Sequence, residues 1–110
     1  MKSYLVDEIS PSDIKKIEGF LKKTAIQSPL EHFYWYPLPT DLLNTIQSRH
    51  IECKPHVVPI ELGKDHLKLE LFIRSLEKIN CPCQGYCTTE QRNDILTFID
   101  SMLLELNIRT

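Results

Sequence analysis

Two runs of alternating apolar residues flank Gly63: Val58, Ile60 and Leu62 before it, and Leu67, Leu69, Leu71 and Ile73 after it. A period of two puts every second side chain on one face of an extended chain, so both runs read as half-buried strands. Pairing Leu62 with Leu67 across Gly63-Lys64-Asp65-His66 brings Ile60 opposite Leu69 and Val58 opposite Leu71. The same register sets Glu61 beside Lys68 on the other face. One alignment thus satisfies every apolar pair and one ion pair. The rival is a single helix over residues 65–78, where Leu69, Phe72, Ile73 and Leu76 fit a helical face. A helix gives the alternation before Gly63 no role, so the hairpin is preferred. Pro59 has no amide proton to give a ladder, which places its strand at a sheet edge.

Helices are expected on both sides of this hairpin. Ser10 caps the first, with Pro11 at its first position and Asp13 in its first turn. Ile14, Ile17, Leu21 and Ala25 form its apolar face, and Pro29 ends it. Thr40 or Asp41 caps a short second helix through Leu42, Leu43 and Ile46. Thr88 caps the last, with Gln91 three residues later as a capping box. Its buried face is Ile95, Phe98, Ile99, Met102, Leu103 and Leu106. Asn93, Asp94, Thr97, Asp100, Ser101 and Glu105 are expected to face water.

Between the first two helices lies the aromatic run Phe33, Tyr34, Trp35 and Tyr36, which reads as a strand ended by Pro37 and Pro39. Phe33 and Trp35 are assigned to the core. Aromatics on both faces leave a second possibility, a ligand-facing patch drawn from Tyr34, Trp35 and Tyr36. The fold class is therefore α+β: a small antiparallel sheet, built from the central hairpin and the aromatic strand, with about three helices packed on one face. A lone hairpin is marginal, so the aromatic strand or a second copy of the chain pairing along a sheet edge should extend it. The 110 residues make one domain spanning 1–110. A chain of this mass should fold to about 6,300 Å² of surface from about 18,700 Å² when extended, enough burial to stand without a staple.

Several function classes are excluded by composition. Net charge is −2, and neither half of the chain is basic, which argues against nucleic-acid binding. No apolar stretch reaches the length of a membrane span or a secretory signal, so a cytoplasmic chain is expected. With glycine only at 19, 63 and 85, neither a dinucleotide-binding fingerprint nor a phosphate loop can be built.

Chemistry concentrates in the cysteines. Three of the four fall in Cys81-Pro82-Cys83-Gln84-Gly85-Tyr86-Cys87, and the fourth lies in His50-x-x-Cys53-x-x-His56. Extending the hairpin register carries Cys53 toward Leu76, close to Cys81. Thiolates with an imidazole are the donor set of zinc, so the candidate ligands are Cys81, Cys83, Cys87 and Cys53, with His50 or His56 able to replace Cys53. Three crowded thiolates repel one another unless a cation neutralises them. The opening Cys81-Pro82-Cys83-Gln84-Gly85 resembles the start of a small zinc motif in bacterial secretion ATPases. It does so over five residues only, and the paired ligands that follow in that motif are missing here.

Two other readings of the thiols stay open: a redox role, including a Cys81–Cys87 disulfide, and inert reduced cysteines. Cys87 precedes the Thr88 cap, where a helix N-terminus favours an anion, and is the candidate reactive thiol. Three function classes follow. The first is a small binding or interaction module with a zinc-stiffened loop. The second is a thiol-dependent redox protein or enzyme using Cys87. The third is a regulatory or structural domain that binds a protein through the aromatic strand and sheet edge.

Overall fold

The computed structural model describes residues 2–78 and 80–109. Seven strands form an open antiparallel sheet: β1 (Ser3–Val6), β2 (Ile26–Gln27), β3 (Phe33–Pro37), β4 (His56–Leu62), β5 (Leu67–Glu70), β6 (Phe72–Ser75) and β7 (Gly85–Tyr86). Their order is β1-β5-β4-β3-β2, with β6 continuing beside β4 and β7 beside β6. Three α-helices accompany them: α1 (Pro11–Thr24), α2 (Thr45–Arg49) and α3 (Thr89–Glu105). The surface is 6839 Å², close to the value expected from mass. Among the described residues, no helix is long and apolar enough to cross a membrane.

The hairpin forms in the expected register: Ile60 faces Leu69, Glu61 faces Lys68 and Leu62 faces Leu67. All seven alternating apolar residues are buried, in one cluster with Ile17 and Leu21 of α1 and Ile95, Ile99 and Met102 of α3. Beyond Leu69 the register departs from expectation. An unbroken ladder would set Val57 against Phe72, yet Val57 faces Arg74 and His56 faces Ser75. The line from β5 to β6 breaks at Leu71, whose N–H donates to the Lys2 carbonyl, so Val58 does not pair with Leu71.

Pro59 therefore does not mark an edge, because β4 is central, between β3 and β5. The Leu38 N–H donates to His56 and the Leu62 N–H to His32, so even-numbered residues of β4 direct their peptide groups toward β3. Pro59 turns the other way, toward the break at Leu71. Its missing proton falls where the ladder already has a gap.

The aromatic strand is also corrected. Tyr34 faces Ile60 and Tyr36 faces Val58, while Phe33 faces Glu61 and Trp35 faces Pro59. Residues directly opposite share a face, so Tyr34 and Tyr36 join the core side and Phe33 and Trp35 turn outward. Tyr34 is fully buried, whereas Phe33 and Trp35 are half-buried and meet edge to face at 5.3 Å. The Tyr36 ring stacks on Phe98 at 4.4 Å, and its hydroxyl donates to Asp94 at 2.8 Å. Asp94 is thereby a half-buried partner of the sheet rather than a water-facing residue.

The N-caps of α1 and α3 behave as their sequences dictate, but α1 ends at Thr24, before Pro29, because Ala25 is already extended and Ile26–Gln27 pair as a strand. The Ser10 hydroxyl accepts from the Asp13 N–H, and Thr88 and Gln91 make a complete capping box. The second helix is split. A single 3-10 turn covers Thr40–Leu42, and α2 starts later, with Asn44 and Gln47 forming its own capping box. Asn44-x-x-Gln47 is a stronger start signal than Thr40 or Asp41, because both of its side chains reach orphaned amides.

Candidate metal centre

The chain leaving α2 passes through His50 into a 3-10 turn, Ile51–Cys53. This turn presents His50 and Cys53 on one side, and the Cys53 N–H donates back to the His50 carbonyl at 3.0 Å. The Ser75 hydroxyl donates to the Cys53 carbonyl at 2.6 Å and pins the turn to the end of β6. After β6 the chain reverses through Cys81-Pro82-Cys83, with the Gln84 N–H donating to the Cys81 carbonyl. The Ser75 N–H donates to the Gln84 side chain at 2.8 Å, so this second loop hangs on the same residue as the first.

Four donor atoms, from His50, Cys53, Cys81 and Cys83, lie within 4.8 Å of one another. His50 Nδ1 is 2.9 Å from Cys81 Sγ and 3.9 Å from Cys53 Sγ, and Cys53 Sγ is 3.2 Å from Cys81 Sγ. A tetrahedral zinc with ligands near 2.3 Å sets its donors about 3.8 Å apart. The observed separations bracket that edge. Cys53 and Cys83 are buried, while His50 and Cys81 are half-buried. The group can hold a metal.

The thiols differ in acidity. Burial alone would push the Cys81 thiol up, but hydrogen bonds from the Cys83 amide and from Cys83, Cys53 and His50 outweigh it and bring Cys81 down to about 6. Cys83 goes the other way, pushed up to about 12 by burial and by its donation to the neighbouring sulfurs. Cys53 is also raised, first by burial. Cys81 is thus the most acidic of the three sulfurs, and Cys53 and Cys83 hold their protons more tightly.

His56 lies beside this group. It is buried, with Nε2 3.4 Å from Cys83 Sγ and Nδ1 without a hydrogen-bond partner among the described residues. Burial lowers its pKa and favours the neutral ring. The geometry therefore brings in His50 together with Cys53, while His56 adjoins Cys83 from outside the four-donor group.

Cys87 stands apart from the four. Its N–H donates to the Leu71 carbonyl at 3.1 Å, and its side chain packs against the hydrophobic core. Burial pushes its thiol up to about 11, opposite to the expected activation. Burial outweighs whatever the start of α3 offers a thiolate at this position. All four cysteines are free, so no Cys81–Cys87 disulfide is present. Cys53 and Cys81 do come together, at 3.2 Å between sulfurs, although the register break sets Pro55, not Cys53, against Leu76.

The proposed ligand face divides in the same way: Tyr34 is in the core, Tyr36 is engaged with Phe98 and Asp94, and Trp35 alone of the three lies on the outer face. Two residues at the site carried no chemical signal in the sequence. Gln47 and Gln91 are fully buried and bonded to each other; Gln91 was expected only as a cap, and Gln47 was missed although Asn44-x-x-Gln47 has capping-box spacing. Comparison with family models, curated proteins and solved structures returns no match, so residue chemistry alone carries the functional reading.

Proposed function

We propose that this chain is a small binding or interaction module whose 81–83 loop is closed onto the 50–53 turn by one zinc ion. The ligands would be His50, Cys53, Cys81 and Cys83. The observation that carries this reading is the convergence of three thiols and one imidazole within 4.8 Å, from segments about 30 residues apart. Sulfur-rich donor sets select zinc over the hard cations that prefer oxygen. Four protein ligands fill a tetrahedron and leave no open position, which is the pattern of a structural rather than a catalytic site. The raised thiol of Cys87 supports no enzyme nucleophile. The outward pair Phe33 and Trp35 then offers the partner-binding surface that Tyr34 cannot.

One observation favours a second reading. Cys53 and Cys81 are already in sulfur–sulfur contact at 3.2 Å, the arrangement from which an oxidant would draw a disulfide. Metal analysis and thiol titration on freshly purified, reduced protein separate the two. The metal reading expects one zinc per chain and thiols shielded until a chelator is added. Protein that carries no zinc, gains none on addition and shows freely reactive thiols overturns it.

A further inference from the structure

Gln47 and Gln91 are fully buried, and their amides form a continuous hydrogen-bonded relay. Gln47 Nε2 donates to the Cys83 carbonyl at 3.1 Å. Gln47 Oε1 accepts from Gln91 Nε2 at 2.9 Å and from the Asn44 N–H at 3.1 Å. Gln91 Nε2 also donates to the Leu42 carbonyl, and Gln91 Oε1 accepts from the Thr88 N–H, both at 3.0 Å. Oriented this way, each amide oxygen and nitrogen has a partner. The same two glutamines close the capping boxes of α2 and α3. One end of the relay therefore holds a candidate ligand residue, and the other end holds the first turn of a helix.

We infer that Gln47 and Gln91 are positioning residues of the metal centre, and that through them metal occupancy is coupled to the order of the first turn of α3. The inference rests on the proposed zinc site. Cys83 is held on both sides of its side chain: its N–H donates to Cys81 Sγ, and its carbonyl accepts from Gln47. That pair of bonds fixes the peptide orientation from which Cys83 Sγ projects. If the loop lifts away, the Gln47 amide loses its acceptor inside the protein, and a buried donor without a partner is unfavourable. Relief requires Gln47 to move, which breaks the bond to Gln91 and loosens the Thr88 cap. Partners of metal ligands commonly tune affinity by roughly 10–100-fold.

The test uses the full chain. Gln47→Glu keeps the oxygen that caps α2 and receives Gln91 but removes the donor to Cys83. Gln91→Glu keeps the cap on Thr88 and removes both donors. Zinc affinity is read by competition with a chromophoric chelator, and ligand geometry by the visible absorption of Co²⁺ in the same site. Gln47→Glu should weaken zinc by roughly 10–100-fold and shift the Co²⁺ bands, with Gln91→Glu moving both in the same direction. Ile99→Val, a control in the buried face of α3 away from the relay, should lower thermal stability and leave both readouts unchanged. Amide exchange on the unsubstituted protein covers the case in which the glutamate variants do not fold: zinc should slow exchange at residues 88–93 and leave residues 58–70 unaffected. Unchanged zinc affinity in both variants, or exchange at 88–93 that ignores zinc, overturns the inference and spares the metal site. An unsubstituted chain that binds neither zinc nor Co²⁺ overturns the metal site and the inference with it.

Discussion

Removing zinc should lower the melting temperature by about 15–18 °C while leaving the hairpin and most of α3 folded. Two limits give the same size. If the unfolded chain releases the ion, free zinc at a thousandfold over its dissociation constant stabilises the folded state by about 4.1 kcal/mol. If the unfolded chain keeps it, the ion acts as a cross-link between Cys53 and Cys81, which are 28 residues apart. Loop-closure entropy for such a span is worth about 3.6 kcal/mol. An unfolding entropy near 2.1 cal/mol/K per residue converts either figure to the stated shift for 110 residues. The apo protein should stay folded, because 6839 Å² of surface against about 18,700 Å² extended already represents burial of almost two thirds. The assay is calorimetry of reduced protein in matched zinc and chelator buffers, with amide exchange to locate the change. Melting temperatures that agree within about 2 °C would refute the claim that the ion closes the loop, since both limits exceed that many times over.

The hairpin face predicts that Leu69→Ala costs about 2–5 kcal/mol, and Lys68→Glu, on an exposed pair, less than about 1 kcal/mol, both read by urea unfolding. Tyr34→Ala should cost about 3–5 kcal/mol and Trp35→Ala far less, and external quenchers should reach Trp35; the reverse order would mean that the strand is slipped by one residue. In metal-free protein Cys81 should alkylate fastest and Cys87 slowly, as mass spectrometry of timed iodoacetamide labelling would show, because Cys81 is lowered to about 6 and Cys87 raised to about 11. Metal-free stability should also depend on pH in a defined sense. Cys81 and His56 are lowered in the folded state, so their contributions are present above the ordinary values near 8.5 and 6.5 and are lost as pH falls. Cys53, Cys83 and Cys87 are raised, so theirs are lost as pH climbs past about 8.5. Urea midpoints should therefore peak in mildly alkaline buffer, and a monotonic fall from pH 6 to 9 would contradict the assignment.

How much of the fold could be read in advance follows from which interactions are local. The hairpin was legible because its two halves alternate in step around one short loop, so one alignment is enforced by the pairs nearest that loop, Leu62 with Leu67 and Ile60 with Leu69. The capping box of Thr88 and Gln91 was legible for the same reason, since the two are three residues apart. The face of the aromatic strand was not. Phe33, Tyr34, Trp35 and Tyr36 are apolar enough to be buried either way, and only their pairing with Ile60 and Val58, more than 20 residues on, decides which pair goes inward. Pro59 misled because a missing donor matters only where a partner strand is present to receive it. The break at Leu71 removes that partner, and nothing in the local pattern announces the break.

The candidate site shows the same division. Cysteine clustering and metal-compatible residue types were visible in the chain, but the choice among six possible ligands was not. Spacing alone made Cys87 as good a ligand as Cys81, and its place before a helix made it look the more reactive. Structure separates them through what each peptide group faces. The Cys81 sulfur accepts from a neighbouring amide and adjoins two other thiols and an imidazole, whereas Cys87 turns into the core and hands its amide to Leu71. His50 and His56 separate likewise: a 3-10 turn swings His50 back over Cys53, while the start of β4 carries His56 into the interior. An electrostatic preference such as a helix dipole is therefore a weak guide to thiol chemistry when the thiol is turned into the core. Donors that converge from separate segments are a stronger one, because nothing in an ordinary apolar core would gather three thiols and an imidazole at one point.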